Sequence, residues 1–225
     1  MDDISKELNL DFNKNVYKPS DDTYLFLKYF KQFINKDNID GIKLNKISYI
    51  LDMGTGTGII AIFFAKYFKF NLGLNIKIYA SDILLDAIKL SKKNAKKNGL
   101  ENEIVFIHSN LFNNFPTSLE HKFNIIFFNP PYLPSESIFK KKNEKKIFYS
   151  WDGGKKGIEI FENFLIQSIE FLSPMEKSFI YFLFSSNSAL DVLYAKIEKL
   201  GFELKILKKA HFFFEDIILH RITRI

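Results

Sequence analysis

The stretch Asp52-Met53-Gly54-Thr55-Gly56-Thr57-Gly58, directly after the apolar run Ile47 to Met53, constrains this chain more than any other feature. Glycine at alternate positions lets the backbone turn sharply and approach a ligand closely at the start of the next helix. A strand, a glycine turn and a helix form the repeating unit of a parallel α/β sheet. The rest of the chain repeats that rhythm. Further β-rich runs are read at Ile76 to Ser81, Glu103 to His108, Phe123 to Phe128 and Ser178 to Phe184. Helical periodicity is read after Ser20 as N-cap, then at Ile59 to about Phe68, Leu84 to Asn98, Gly157 to Phe171 and Ala189 to Leu200. Two closing runs, Phe202 to Leu207 and Phe212 to Ile222, read as a hairpin. The expected fold is α/β, a seven-stranded and mostly parallel sheet with a C-terminal antiparallel hairpin and helices on both faces.

No repeat or linker divides the 225 residues, so residues 1–225 read as one domain with a single substantial core. Hydrophobic residues make up 47% and charged residues 26%, the composition of a soluble globular protein. No cysteine is present, which excludes a disulfide scaffold and cysteine-bound zinc. The four histidines are scattered with no metal-ligand spacing, so no catalytic metal is expected. The N-terminus is polar and acidic, unlike a signal peptide, and the longest apolar runs, such as Phe179 to Phe184, fall far short of a bilayer span. A cytoplasmic location is expected. The net charge of +6 suits a polyanionic neighbour, but general enrichment in lysine produces it equally well.

Ligands of such sheets bind at the carboxyl ends of the strands, where strand order reverses. The glycine spacing here is Gly-x-Gly-x-Gly, whereas a dinucleotide fingerprint is Gly-x-Gly-x-x-Gly. Asp52 beside the loop would repel a pyrophosphate and attract the ammonium of a methionine moiety, which favours S-adenosylmethionine. Asp82 closes the second strand, where a carboxylate can accept ribose hydroxyls or cap the following helix. Asn110 and Leu111 close the third, where an adenine edge would lie between polar and apolar side chains.

Asn129-Pro130-Pro131-Tyr132 ends the fourth strand. Asn-Pro-Pro can simply start a loop, yet here it falls where a transferred methyl group would point. An amide or adenine nitrogen is a poor nucleophile because its lone pair is delocalised. The Asn129 side-chain oxygen and the Pro130 carbonyl could each accept one N–H of that nitrogen, fix its plane and stabilise positive charge growing on it. The prolines restrict the backbone, and Tyr132 offers a flat face to a planar substrate.

Taken together, these residues resemble the class I S-adenosylmethionine-dependent methyltransferases with an Asn-Pro-Pro-Tyr motif. The narrower resemblance is to the archaeal and eukaryotic branch of the release-factor glutamine-N5 methyltransferases. It also rests on Val16-Tyr17-Lys18-Pro19-Ser20-Asp21-Asp22-Thr23, on Ser150-Trp151-Asp152-Gly153-Gly154 and on Phe212-Phe213-Phe214-Glu215. The resemblance implies a Rossmann-like fold, with residues 1–45 as a helical extension covering the cofactor site. It implies cofactor contacts from Thr23, Asp52, Gly54, Gly56, Asp82, Asn110 and Leu111, with Asn129, Pro130 and Tyr132 as catalytic residues. The implied substrate is the glutamine of a Gly-Gly-Gln motif in a class 1 peptide release factor. The implied partner is a small zinc-binding adaptor protein. Lys18 and Asn110 depart from the family's usual glutamate and aspartate.

Adenine's amino edge mimics a carboxamide, so an adenine-N6 methyltransferase acting on RNA or DNA is the alternative. The absence of a recognisable nucleic-acid-binding domain leaves nucleic acid possible but not favoured. An inert adaptor keeping only the fold is a third reading, opposed by the intact cofactor series. The loop Lys140 to Lys146 and Trp151 are candidates for a substrate wall, or a solvated loop and its anchor. The third strand is expected at the sheet edge. Its apolar residues Ile104 to Ile107 would invite pairing with another chain.

Overall fold

The structure is a computed structural model, and it describes residues 7–135, 151–174, 177–212 and 214–224. The loop Lys140 to Lys146 lies outside those residues.

Helix α1 (Asp21–Phe33) follows an extended N-terminal segment and leads into a small hairpin of β1 (Asn38–Ile39) and β2 (Ile42–Lys43). Asp40 and Gly41 turn that hairpin with φ of 46° and 84°, the twist that two-residue hairpins prefer. The main sheet is formed by β3 (Tyr49–Met53), β4 (Lys77–Asp82), β5 (Ile104–His108), β6 (Ile125–Phe128), β7 (Phe179–Ser185), β8 (Phe202–Phe212) and β9 (Glu215–Arg224). Four further helices join them: α2 (Ile59–Lys66), α3 (Leu85–Lys97), α4 (Glu159–Phe171) and α5 (Leu190–Lys199).

The sheet order is β5-β4-β3-β6-β7-β9-β8, and β9 pairs antiparallel with both its neighbours while the other pairs are parallel. The seven strands and the closing hairpin agree with expectation. Strand order reverses between β3 and β6, which opens a crevice at their carboxyl ends.

Central strands buried on both faces read as continuous apolar runs, and Ile125-Ile126-Phe127-Phe128 are all buried. Alternation sends Phe127, Tyr181 and Leu183 to one face, where α1 and α2 cover them. Phe128, Phe182 and Phe184 go to the other, under α4 and α5. Rings fill both layers: Phe64 stacks on Phe127 at 4.4 Å between centroids, and Phe161 lies 4.3 Å from Phe182. The phenylalanine-rich composition therefore supplies core volume.

Three local expectations need correction. The extension before the sheet is not wholly helical, since β1 and β2 follow α1; the Asp40-Gly41 pair between Ile39 and Ile42 was the available signal. Ser20 occupies the cap position of α1, but its side chain makes no capping hydrogen bond. The closing hairpin is longer than expected, because Lys208-Lys209-Ala210-His211 reads as a polar loop yet forms an edge strand past a register shift at Leu207. Charged side chains suit an edge.

Candidate active site

The loop after β3, the ends of β4, β5 and β6, the segment Val16–Thr23 and the tip of the β8–β9 hairpin line one cavity of about 500 Å3. That volume lies within the roughly 300–1,000 Å3 of small-molecule sites. Gly54, Gly56, Asp82, Asn110 and Leu111 line it, as do Thr23, Asn129, Pro130 and Tyr132. The fold thus brings together residues spread over more than half the chain.

The glycine loop is held from below. Thr55 N–H donates to the Ser81 carbonyl at 2.9 Å, and Gly56 N–H donates to Asp82 Oδ2 at 2.9 Å. A Cβ on Gly58 would lie 2.9 Å from Ser91 Cβ, so only glycine lets α2 sit this close to α3. A Cβ on Gly54 would come within 3.1 Å of the Phe128 ring, leaving the loop's upper face open to a ligand.

Asp52 departs from expectation. It is 1% exposed and does not line the cavity. Its Oδ2 accepts the Thr55 hydroxyl at 2.6 Å and the Ala61 N–H at 3.1 Å, so the carboxyl braces the loop from behind rather than facing a ligand's ammonium. Burial pushes its pKa up to about 7, against the lowering effect of these two hydrogen bonds. Asp82 lines the cavity and does more than cap a turn. Its Oδ1 accepts Leu84 N–H at 2.8 Å while Oδ2 holds Gly56, and each oxygen retains a lone pair. Burial raises the Asp82 pKa.

At the end of β5, Leu111 adopts a left-handed φ of 48°, uncommon outside glycine and worth roughly 1–3 kcal/mol of strain. Asn110 is exposed at the cavity rim. Lys18, the other departure from the family pattern, is exposed over the Phe12 ring, 5.1 Å from its centroid, and does not line the cavity.

Asn129 and Tyr132 meet a residue that the sequence did not single out. Asp22, on the first turn of α1, is 5% exposed. Its Oδ2 accepts Asn129 Nδ2 at 3.0 Å and the Tyr132 hydroxyl at 3.2 Å. Its Oδ1 accepts the Tyr17 hydroxyl at 3.1 Å. Desolvation, with the Asp22 charge second, raises the pKa of both tyrosines, which keeps them as donors. Asn129 Oδ1 is buried with no hydrogen-bond partner. A spacing of 107 residues hides this contact from any local pattern; in sequence Asp22 looks like an ordinary first-turn acid.

The stretch after residue 150 packs on the backbone of the tetrapeptide. Leu133 N–H donates to the Trp151 carbonyl at 3.0 Å, and Gly153 N–H returns to the Leu133 carbonyl at 3.0 Å. A Cβ on Gly153 would lie 2.6 Å from the Pro131 carbonyl oxygen. Trp151 itself lines the cavity, so it serves both as anchor and as wall. Among the described residues no acidic, histidine or cysteine cluster could hold a metal ion, and no helix is long and apolar enough to cross a membrane.

The methyltransferase small domain family matches residues 39–147. A Methanocaldococcus jannaschii protein provisionally named protein N5-glutamine methyltransferase is 32% identical over 94% of this chain and 93% of its own length. The release factor glutamine methyltransferase of Clostridium acetobutylicum is 28% identical over 74% of the chain, which spans 55% of that longer protein. Among solved structures, the E. cuniculi Mtq2–Trm112 complex, responsible for methylation of the translation termination factor eRF1, matches with a TM-score of 0.63 at 18% identity. It covers 93% of this chain and 99% of its own. That likeness is one of fold. With such identity to a full-length relative, the chain belongs to the protein N5-glutamine methyltransferase family of S-adenosylmethionine-dependent enzymes.

Proposed function

We propose that this enzyme methylates the side-chain amide nitrogen of the glutamine in a Gly-Gly-Gln motif of a class 1 peptide release factor, in the cytoplasm. The observation that carries the reading is the Asn129 carboxamide: its Nδ2 is committed to Asp22, and its buried Oδ1 stands free on a residue that lines the cavity. A buried acceptor without a partner calls for a donor, and a glutamine amide brings two N–H groups. The names of the two curated relatives support glutamine as the acceptor.

S-adenosylmethionine, when bound, supplies a methyl group on a positively charged sulfur that leaves as a neutral thioether. The cavity residues fit it. Asp82 has lone pairs left for ribose hydroxyls, Gly54 and Gly56 let a ligand rest on the loop, and Asn110 with Leu111 offers a polar and an apolar edge to a base. Thr23 closes the near side, and Asp52 acts from beneath, by its hold on the loop. The segment before β3 serves as the cover of this site, with Val16, Tyr17 and Thr23 lining the cavity.

In the transfer step Asn129 Oδ1 and the Pro130 carbonyl accept the two amide N–H groups and hold the nitrogen in plane. With the cofactor bound, the same two acceptors would steady the positive charge that methylation develops on the nitrogen and hold it while a proton is lost. Acceptors preset at a developing charge contribute more than any general base would here.

The edge strand β5 supports the proposed adaptor. Val105 is 51% exposed there and Ile107 is half-buried, so an apolar face and a free strand edge lie side by side. We propose that a small zinc-binding adaptor adds a strand at this edge; that Mtq2 forms a complex with Trm112 supports a partner protein for this chain.

A transfer assay with labelled cofactor, offering a class 1 release factor and structured RNA side by side, tests the reading. The expected result is a methyl group on the Gly-Gly-Gln glutamine by mass spectrometry. Label on adenine with the release factor unlabelled would establish the nucleic-acid alternative instead.

A further inference from the structure

A carboxylate as enclosed as Asp22 needs donors around it. A helix start would satisfy it with backbone N–H groups, and the Thr23 N–H does donate to Oδ1. The Thr23 hydroxyl donates to the same oxygen at 3.1 Å, and three further donors come from elsewhere: the Tyr17 hydroxyl from the N-terminal segment, and the Tyr132 hydroxyl and Asn129 amide from the far end of β6. All three donor residues line the cavity.

The chemistry of this contact determines which way Asn129 faces. A carboxamide has a donor end and an acceptor end of nearly the same shape. Turning it over would set Oδ1 against the Asp22 carboxylate, acceptor against anion, and would aim two N–H groups at the substrate. A charge-assisted bond is roughly twice as strong as a neutral one, so the anion holds one orientation.

Resting on the function proposed above, we propose that Asp22 is a positioning residue that locks the Asn129 carboxamide with its oxygen toward the substrate, so that the site accepts a nitrogen bearing N–H and refuses a carboxylate. A glutamate in place of the glutamine offers no donor to Asn129 Oδ1, and brings a second anion close to Asp22. Because Asp22 and Tyr17 belong to the segment that covers the site, Asn129 is aligned only when that segment is seated. The covering segment and the reacting centre are thereby coupled without any contact between Asp22 and the reacting atoms.

The test uses the full chain carrying Asp22→Asn, alone and combined with Asn129→Ala. The side-chain amide protons of Asn129, identified in NMR spectra by their loss in Asn129→Ala, should exchange with solvent at least ~10-fold faster in Asp22→Asn, since a charged acceptor is lost. Turnover on a release factor should fall by about 10-fold or more with KM for the cofactor little changed, and Asp22→Asn should cost nothing further in the Asn129→Ala background. Unchanged amide exchange overturns the proposal, and so does an equal loss of turnover in both backgrounds, the mark of a purely structural role. If the unaltered enzyme leaves the release factor unlabelled, the substrate reading fails, and amide exchange alone still decides the role of Asp22.

Discussion

Asn129 Oδ1 is a buried acceptor without a partner, and such a group costs roughly 1–3 kcal/mol until something donates to it. A site that stores this cost gains from a substrate that relieves it. Asn129→Ala is therefore expected to cut turnover by ~100-fold or more while leaving affinity for the demethylated cofactor nearly intact. Its thermal stability should change little, because removal of the unpaired oxygen offsets the lost amide bond to Asp22. Kinetics, calorimetry and thermal unfolding on one preparation check all three. Asp52 gives a pH signature. Its folded carboxyl keeps its proton up to about 7, while the unfolded chain releases it near 3.8. Between those values the folded state holds more protons, so stability falls as pH rises through the window and levels off above it. Asp52→Asn cannot titrate, so its stability relative to the parent should climb from pH ~4 to ~7 and then stay flat. His220, depressed to about 4 by burial, contributes in the opposite sense but is common to both proteins. Denaturant titrations across this range measure the difference. That Asp82, Asn110 and Asn129 would gather around one cavity was legible from their positions at strand ends. Asp22 was not, because nothing within a few residues of it announces its partners.

Elements transmit these local facts. Gly58 shows how a loop residue serves two helices: it starts α2 at φ of 84° and leaves room for Ser91 of α3 at 2.9 Å from where a Cβ would sit. Gly58→Ala should cost about 1–3 kcal/mol, since left-handed strain and overpacking add. It should also weaken binding of the demethylated cofactor, because the loop must lift. Thermal unfolding with calorimetry separates the two effects. The two edges of the sheet contrast. Strand β8 carries Lys205, Lys208 and Lys209, the usual protection of an exposed edge, whereas β5 presents Val105 without charge at its centre. Val105→Lys is accordingly expected to leave the fold and the cofactor affinity intact while abolishing co-purification with the proposed adaptor. Retained co-purification would move the interface elsewhere. The succession of strands and helices was legible in their alternation, but the extent of β8 was not: its polar residues match both a loop and an edge, and only pairing with β9 separates them.

Across the whole molecule, the N-terminal segment is tied to the sheet by a cluster that no local pattern predicts. The Asp40 carboxylate accepts the hydroxyls of Tyr29 and Tyr181, both at 3.0 Å, and Arg221 Nη1 at 2.8 Å. Those partners lie on α1, β7 and β9, so a single turn residue joins the small hairpin to all three. Arg221→Ala should destabilise the protein by roughly 3–5 kcal/mol, the usual result of leaving one charge of a largely buried pair alone. If the cover is joined as described, affinity for the demethylated cofactor should drop as well; urea unfolding and calorimetry read the two. Short-range physics was enough for the succession of elements, the glycine turn after β3 and the strand ends that bear chemistry, because propensity, side-chain periodicity and turn geometry act over a few residues. Three outcomes depended on packing. Asp52 turned away from the cavity because the loop folds back over it, Asn129 acquired its orientation from a carboxylate 107 residues earlier, and Asp40 found Arg221 across 181 residues. The partners of Asp52 are Thr55 and Ala61, close in sequence, and the path of the loop decides which way its carboxyl faces. For Asn129 and Asp40 the deciding interaction joins groups that come within hydrogen-bonding distance only after the sheet has closed and water has left.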